Sequence, residues 1–417
     1  MSQNKYKKIL NEFLIFILFF SSNALAFFHV VWIVPEIVLM DAVVLFMLAA
    51  FFLWAMYKDN TLSNFLETLK KNWVILPFLV FAGISIFWSV YWQISLLRWL
   101  ILVFTIIAGG YIGTRYSVKE IIKLLSVFGI YILFLSSLVI LFMPNLGIMN
   151  YWIIQGAWKG IYWHKNHMGM IASFTNILFL INLIYLLKYR GKQVWFWGAL
   201  YLFSLVFLFQ TDSVGAYITT LFLHGVILLA IFLMKFGGKL RRIHYLIFIL
   251  AGILASLILY LNLDHFFGIF NRNTSLTGRV PMWTYLFDAY FSKRPFLGYG
   301  FNAFWYVDAY RVDMGLTVGY LDPIVIADNG FIDILINTGY IGSILFSIFY
   351  LGTWWQSIRY ARKASDLYGV FPLILMSYTL LANISWSLIF ENESFFMLIM
   401  ISVLFSMSAG TSIIRKT

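Results

Sequence analysis

The chain has 417 residues, of which 62% are hydrophobic, 20% aromatic and only 11% charged. Soluble domains carry about 45–50% apolar and about 25% charged residues, so a soluble enzyme, a disordered chain and a nucleic-acid binder are excluded and a polytopic membrane protein remains. The net charge of +12 fits cytoplasmic loops rich in Lys and Arg beside anionic lipid, and the lack of Cys removes disulfides, thiolate catalysis and cysteine metal sites.

In chain order, the apolar runs predict twelve spans, at 9–29, 35–56, 73–91, 95–114, 121–143, 167–187, 193–210, 214–234, 243–262, 330–356, 369–389 and 394–413. Each run approaches the roughly twenty residues that cross hydrocarbon about 30 Å thick. The first span also resembles a signal peptide, with Lys5, Lys7 and Lys8 before an apolar stretch and Ala24-Leu25-Ala26 after it. An uncleaved helix is expected instead, because apolar character continues through Phe27, Phe28 and Val30.

The basic residues test the count. With both termini in the cytoplasm, 21 of the 29 Lys and Arg fall on the inner side, and every inner connection carries at least two. One missed or invented span would invert all later loops and destroy that alternation. The expected fold class is therefore an all-α integral membrane protein of about twelve transmembrane helices, one polytopic domain over 1–417.

The polar exceptions lie outside. Arg98 follows Tyr91-Trp92-Gln93 near the outer end of the fourth span, where it either snorkels to the interface or serves a site. Asp41, Asp212 and His224 read as packing or capping residues. Two outer loops are long, about 144–166 and 263–329, and long loops in compact proteins are more often functional. The first ends in Trp163-His164-Lys165-Asn166-His167, where His164 and Lys165 suit phosphate or glycan contacts and a metal site lacks a carboxylate partner.

In the extracytoplasmic loop 263–329, a turn-like run reaches Arg279, and Pro281 suits the first turn of a helix. Met282, Trp283, Leu286, Phe287 and Tyr290 recur at helical spacing, which predicts an amphipathic helix in the membrane surface with its aromatics toward lipid or toward the bundle. Arg279, just before that start, could meet a phosphate together with free backbone N–H groups. Gly298-Tyr299-Gly300-Phe301 and Trp305 follow, with aromatics that stack on sugars or sit in the headgroup layer. Asp328 precedes Asn329-Gly330 at the tenth span, as a helix N-cap or as a carboxylate that takes a proton from a sugar hydroxyl.

Taken together, Leu276-Thr277-Gly278-Arg279, Trp283, Arg294-Pro295-x-x-Gly298-Tyr299-Gly300-Phe301-x-Ala303-Phe304-Trp305, Asn329-Gly330-Phe331-x-Asp333 and Gly339-x-x-Gly342 resemble the O-antigen ligase and polysaccharide polymerase superfamily. His164-Lys165-Asn166-x-x-Gly169 matches that family's second outer loop. The resemblance implies a metal-independent, cofactor-free glycosyltransferase of the integral-membrane GT-C type in the bacterial cytoplasmic membrane. Its donor and acceptor would be undecaprenyl-pyrophosphate-linked glycans on the outer face, with membrane lipids, polysaccharide export proteins and chain-length regulators as partners. By match, Arg279 grips the pyrophosphate with Arg98 and Lys165 as helpers, and His164, Arg294, Tyr299, Trp305 and Asn329 are expected to contact the pyrophosphate or the glycan. Asp328 stands where the family commonly has a catalytic histidine, so it is the expected proton acceptor. The wording of the motifs is closer to polymerases than to ligases, which move the glycan onto lipid A-core. A transporter or flippase would instead need ionisable residues at mid-membrane on broken helices.

Overall fold

The computed structural model describes residues 12–19, 35–151, 154–188, 191–236, 279–319, 324–389 and 395–413. The expected ninth span and the large loop up to residue 278 lie outside them, as does most of the first span. The side chain of Asp41 is likewise not described. Lipid offers no hydrogen bonds, so a spanning segment must satisfy its own backbone, and a helix does this within one segment. The described chain obeys that rule. Its helices are α1 (Pro35–Lys58), α2 (Leu62–Lys71), α3 (Ile75–Ile84), α4 (Trp92–Arg115), α5 (Val118–Phe142), α6 (Lys165–Lys188), α7 (Val194–Gln210) and α8 (Val214–Phe236). After the large loop come α9 (Arg279–Tyr285), α10 (Asp308–Val318), α11 (Gly330–Ala361), α12 (Leu367–Ser385) and α13 (Phe395–Ile413).

Six of these, α4, α5, α6, α8, α11 and α12, are long and apolar enough to cross a membrane, and α1 with α2 makes a seventh if that bent pair is one span. The helix α2 was not foreseen. It turns 111° from α1 within the basic connection 57–72 and buries Phe65 and Thr68. Arg115 holds the bend, donating to Asp59 Oδ2 at 2.5 Å and to the Ala55 carbonyl at 3.3 Å. The all-α expectation also needs a small addition. Ile148–Tyr151 (β1) and Ile154–Trp158 (β2) pair antiparallel in the first long outer loop, with Asn150 opposite Gln155.

Packing relies on small residues, as expected where lipid supplies no hydrophobic drive between helices. On α4, Gly109, Gly110 and Gly113 face α13, and a Cβ at Gly113 would lie 2.3 Å from the Ser402 carbonyl oxygen. Polar staples close the bundle at the end that carries Arg115. Asn72 bonds Ser408 at 3.0 Å and receives Gln356 at 3.2 Å, while Tyr368 donates to Asn182 at 2.8 Å. The opposite end gathers the starts of α4, α6 and α11, the end of α12 and the segment 279–319.

There α11 departs from a plain span. Gly339 has φ 62° and ψ −169°, which interrupts the helix. An unbroken helix would bond Tyr340 N to Ile336 O and Ile341 N to Asn337 O. The loop 295–300 supplies all four missing partners instead. Tyr299 N and Gly300 N donate to Ile336 O and Asn337 O at 3.1 and 2.9 Å, while Pro295 O and Phe296 O accept from Tyr340 N and Ile341 N at 2.8 and 3.2 Å. The approach is so close that a Cβ at Gly339 would lie 2.4 Å from Phe296 backbone, and one at Gly298 (φ 65°) would lie 2.6 Å from Asn337. This explains why Gly298-Tyr299-Gly300 and Gly339 occur in one chain. Gly339→Ala combines a glycine-only conformation with that clash, so it is expected to cost about 2–4 kcal/mol. Thermal unfolding of the purified variant measures this, and an unchanged transition would refute the exchange as a structural keystone.

Candidate active site

The segment from Arg279 to Lys293 is helical, but not in the way its periodicity implied. Its first part is α9, Leu286–Tyr290 is a π-turn and Phe291–Lys293 a 3₁₀ turn. Met282, Leu286, Tyr290 and Phe291 are buried with Tyr299, Phe304 and Ala327, so this face packs on protein rather than on lipid. Arg279 is the first residue of the helix rather than a flanking one.

Residues four apart on this helix hold consecutive residues of the strap that leads into α11. Arg279 Nε donates to Asp328 Oδ2 at 2.9 Å, and Trp283 Nε1 donates to the Ala327 carbonyl at 2.7 Å. The Arg279 and Asp328 side chains stay 20% and 27% exposed, so both remain reachable. Asp328 has φ 53°, a left-handed conformation that costs of order 1 kcal/mol in a non-glycine residue and is common at functional sites. Burial pushes its carboxyl above the ordinary carboxylate value, and the Arg279 guanidinium opposes that rise. Asp328 is not the cap of α11. Asn329 is, through Oδ1, which accepts from Phe331 N and Ile332 N at 3.0 and 3.2 Å.

Asp333, one turn inside α11, ties four segments together. Its Oδ1 accepts from Trp305 Nε1 at 2.6 Å and from Ala327 N at 3.2 Å, and its Oδ2 accepts from the Ser387 hydroxyl. Trp386, beside Ser387, stacks on the His164 ring at 5.9 Å with 18° between planes. Through the chain neighbours Ala327–Asp328 and Trp386–Ser387, these contacts link Arg279 to Asp333 and Asp333 to His164. Asp333 stood in the sequence as an intramembrane carboxylate, a type that is rarely idle. Trp386 and Ser387 carried no local signal.

His164 begins α6. Its Nδ1 accepts from Asn166 N at 3.2 Å, and its carbonyl accepts from His167 N at 3.1 Å. Burial first, then the charges of Lys165 and Arg279, lower its pKa to about 3, so it stays neutral.

The remaining expected residues are placed differently. Lys165 Nζ is buried and donates to Asp212 Oδ2 at 2.7 Å and to the Asp212 carbonyl at 2.5 Å, which pins the α7–α8 turn to α6. Arg98 is buried rather than snorkelling and donates to the Tyr306 hydroxyl. Tyr299 and Trp305 are scaffold residues, since both are buried, with Tyr299 OH donating to Tyr290 O at 2.9 Å and the Trp305 indole held by Asp333. Arg294 is exposed and lies over the Tyr299 ring at 5.0 Å, with Nη1 donating to Trp88 O at 3.3 Å. It has no contact with the Arg279 group. His224 packs as expected, against Tyr201 OH at 3.0 Å and Thr220 O at 2.8 Å. Among the described residues no three His, Asp or Glu come together as metal ligands.

Residues 198–347 match the family model described as O-Antigen ligase. The match covers the described α9, the strap and the start of α11. The chain is also 25% identical over 288 residues to the exopolysaccharide production protein ExoQ of Rhizobium meliloti (strain 1021), across 66% of this chain and 62% of that protein. The matched part is thus less than two thirds of that relative's length.

Proposed function

We propose, on the premise that the chain belongs to the O-antigen ligase and polysaccharide polymerase superfamily, that it is a membrane glycosyltransferase joining undecaprenyl-pyrophosphate-linked repeat units into a polysaccharide. In this reading twelve spans place both termini in the cytoplasm and the Arg279 end of the bundle outside. No nucleotide sugar or ATP is available there, so the donor arrives already activated by its diphosphate. The observation that carries the reading is the Arg279–Asp328 pair. Nε and Oδ2 hold each other, while the terminal Nη groups and Oδ1 have no partner among the described residues. One edge of the guanidinium is open to phosphate oxygens, and one carboxylate oxygen is open to a hydroxyl.

The chemistry then follows. The acceptor hydroxyl oxygen forms a bond to the anomeric carbon of the donor sugar, and its proton passes to Asp328. The bond from that carbon to the phosphate oxygen breaks, and the electron pair leaves with undecaprenyl pyrophosphate. Negative charge grows on the diphosphate as this happens, and the fixed Arg279 fork stabilises it. The step needs no metal and no cofactor.

The ExoQ relative favours a polymer product, and the family description keeps lipid A-core ligation as the second reading. Transport has less support, because the break in α11 is filled by the chain's own loop 295–300. Deleting the gene in the native host separates the first two readings. Loss of long-chain polymer supports polymerisation, whereas intact polymer that is no longer attached to lipid A supports ligation.

A pH profile tests the proton acceptor. Only ionised Asp328 accepts the proton, so turnover is expected to fall in acid along a limb lying above 3.8, the ordinary aspartate value that burial raises. The residual turnover of Asp328→Asn should be flat over that range. A limb that persists in this variant would assign the titration to another group.

A further inference from the structure

His164 is held in one protonation state and one orientation. The donor to Nδ1 is the Asn166 backbone N–H, at 3.2 Å, and an amide can only donate. Nδ1 is therefore unprotonated, and the ring's proton sits on Nε2. Stacking on Trp386 fixes the ring plane, and Trp163 lies beside both rings, 5.1 Å from the imidazole and 6.2 Å from Trp386. Nε2 has no partner among the described residues, and it belongs to a half-buried side chain that the contacts described above link to Arg279 by way of Asp333. The charged and titratable groups acting on it are Lys165, Arg279, His167 and Lys159, which all disfavour a second proton.

We infer that His164 is a neutral hydrogen-bond donor, through Nε2–H, to an oxygen of the saccharide carried next to the diphosphate. The inference rests on the glycosyltransferase reading above. A neutral donor suits a hydroxyl or ring oxygen, where direction matters and charge does not. The diphosphate has the Arg279 fork for its charge. The half-buried Trp163 indole beside the imidazole offers the flat apolar face that the C–H side of a sugar ring packs against. With its one basic nitrogen engaged, His164 is also unavailable as the proton acceptor, which leaves that role to Asp328.

The test is binding by the purified full chain in phosphatidylcholine nanodiscs. Two probes are compared: sugar-free undecaprenyl pyrophosphate, and the undecaprenyl-pyrophosphate oligosaccharide extracted from a host lacking this gene. His164→Asn keeps an oxygen that can cap α6 but is too short to place a donor where Nε2–H lies. It is expected to weaken the oligosaccharide lipid about three- to tenfold and to leave the sugar-free carrier unchanged. Equal loss on both probes, or no loss on the oligosaccharide lipid, would overturn the inference. Wild-type protein that binds neither probe removes the glycosyltransferase reading and this inference with it. The wild type gives an independent check, since its affinity for the oligosaccharide lipid should stay constant between about pH 5 and pH 8. A change centred near the usual histidine value of 6.5 would show a charging imidazole and refute the neutral donor.

Discussion

Arg279→Ala is expected to abolish polymer formation while the protein stays in the membrane at normal level. Among the described residues of the Arg279–Asp328–Asp333 cluster the guanidinium keeps open donors, and in the proposed reaction these meet the leaving diphosphate. Removing a preorganised donor from a developing oxyanion costs about 10²–10³-fold in turnover, and a departing diphosphate demands at least as much. The stability cost should be small. The ion pair with Asp328 is partly exposed, and such pairs contribute about 0–1 kcal/mol. Arg279→Lys should fall between the two, because a point charge replaces a fork that meets two phosphate oxygens at once. Polymer ladders on gels, read beside an immunoblot of the membrane fraction, provide the measurement. Full activity in the alanine variant would remove the diphosphate assignment altogether.

The second large effect separates two aspartates five residues apart. Asp333→Ala should lower stability by about 3–5 kcal/mol, because it strands the Trp305 indole, the Ala327 amide and the Ser387 hydroxyl in a buried site. Activity should fall with it, as the strap carrying Asp328 loses its anchor. Asp333→Asn should be milder, since an amide oxygen still accepts from the indole or the backbone. Asp328→Asn should behave in the opposite manner. Its thermal transition should barely move, and its turnover should drop about 10²–10⁴-fold, the range for removing a general base. Thermal unfolding and turnover measured on the same preparations distinguish the two roles. A stable Asp333→Ala protein would show that the hub is dispensable, and an active Asp328→Asn protein would return Asp328 to a structural role.

Arg279 and Asp328 were both visible as candidates in the sequence, the first beside an expected helix start and the second at the entry to the tenth span. Their pairing was not visible, because 49 residues separate them and no periodicity links them. Tyr299 and Trp305 were read as stacking on sugars or sitting in the headgroup layer, and both are buried. An aromatic beside a glycine looks the same whether its ring packs inward or faces a ligand, and only the neighbouring surfaces distinguish the two. Lys165 was expected to touch substrate, yet Asp212 at the next bundle turn engages it.

Membrane residence and the lengths of the helices follow from local causes: a run of apolar residues has one low-energy way to cross hydrocarbon, as a helix, wherever it lies in the chain. The break at Gly339, the Asp333 hub and the tautomer of His164 have no local cause. They depend on which backbone atoms from distant segments come within hydrogen-bonding reach, and that is settled by the packing of the whole bundle.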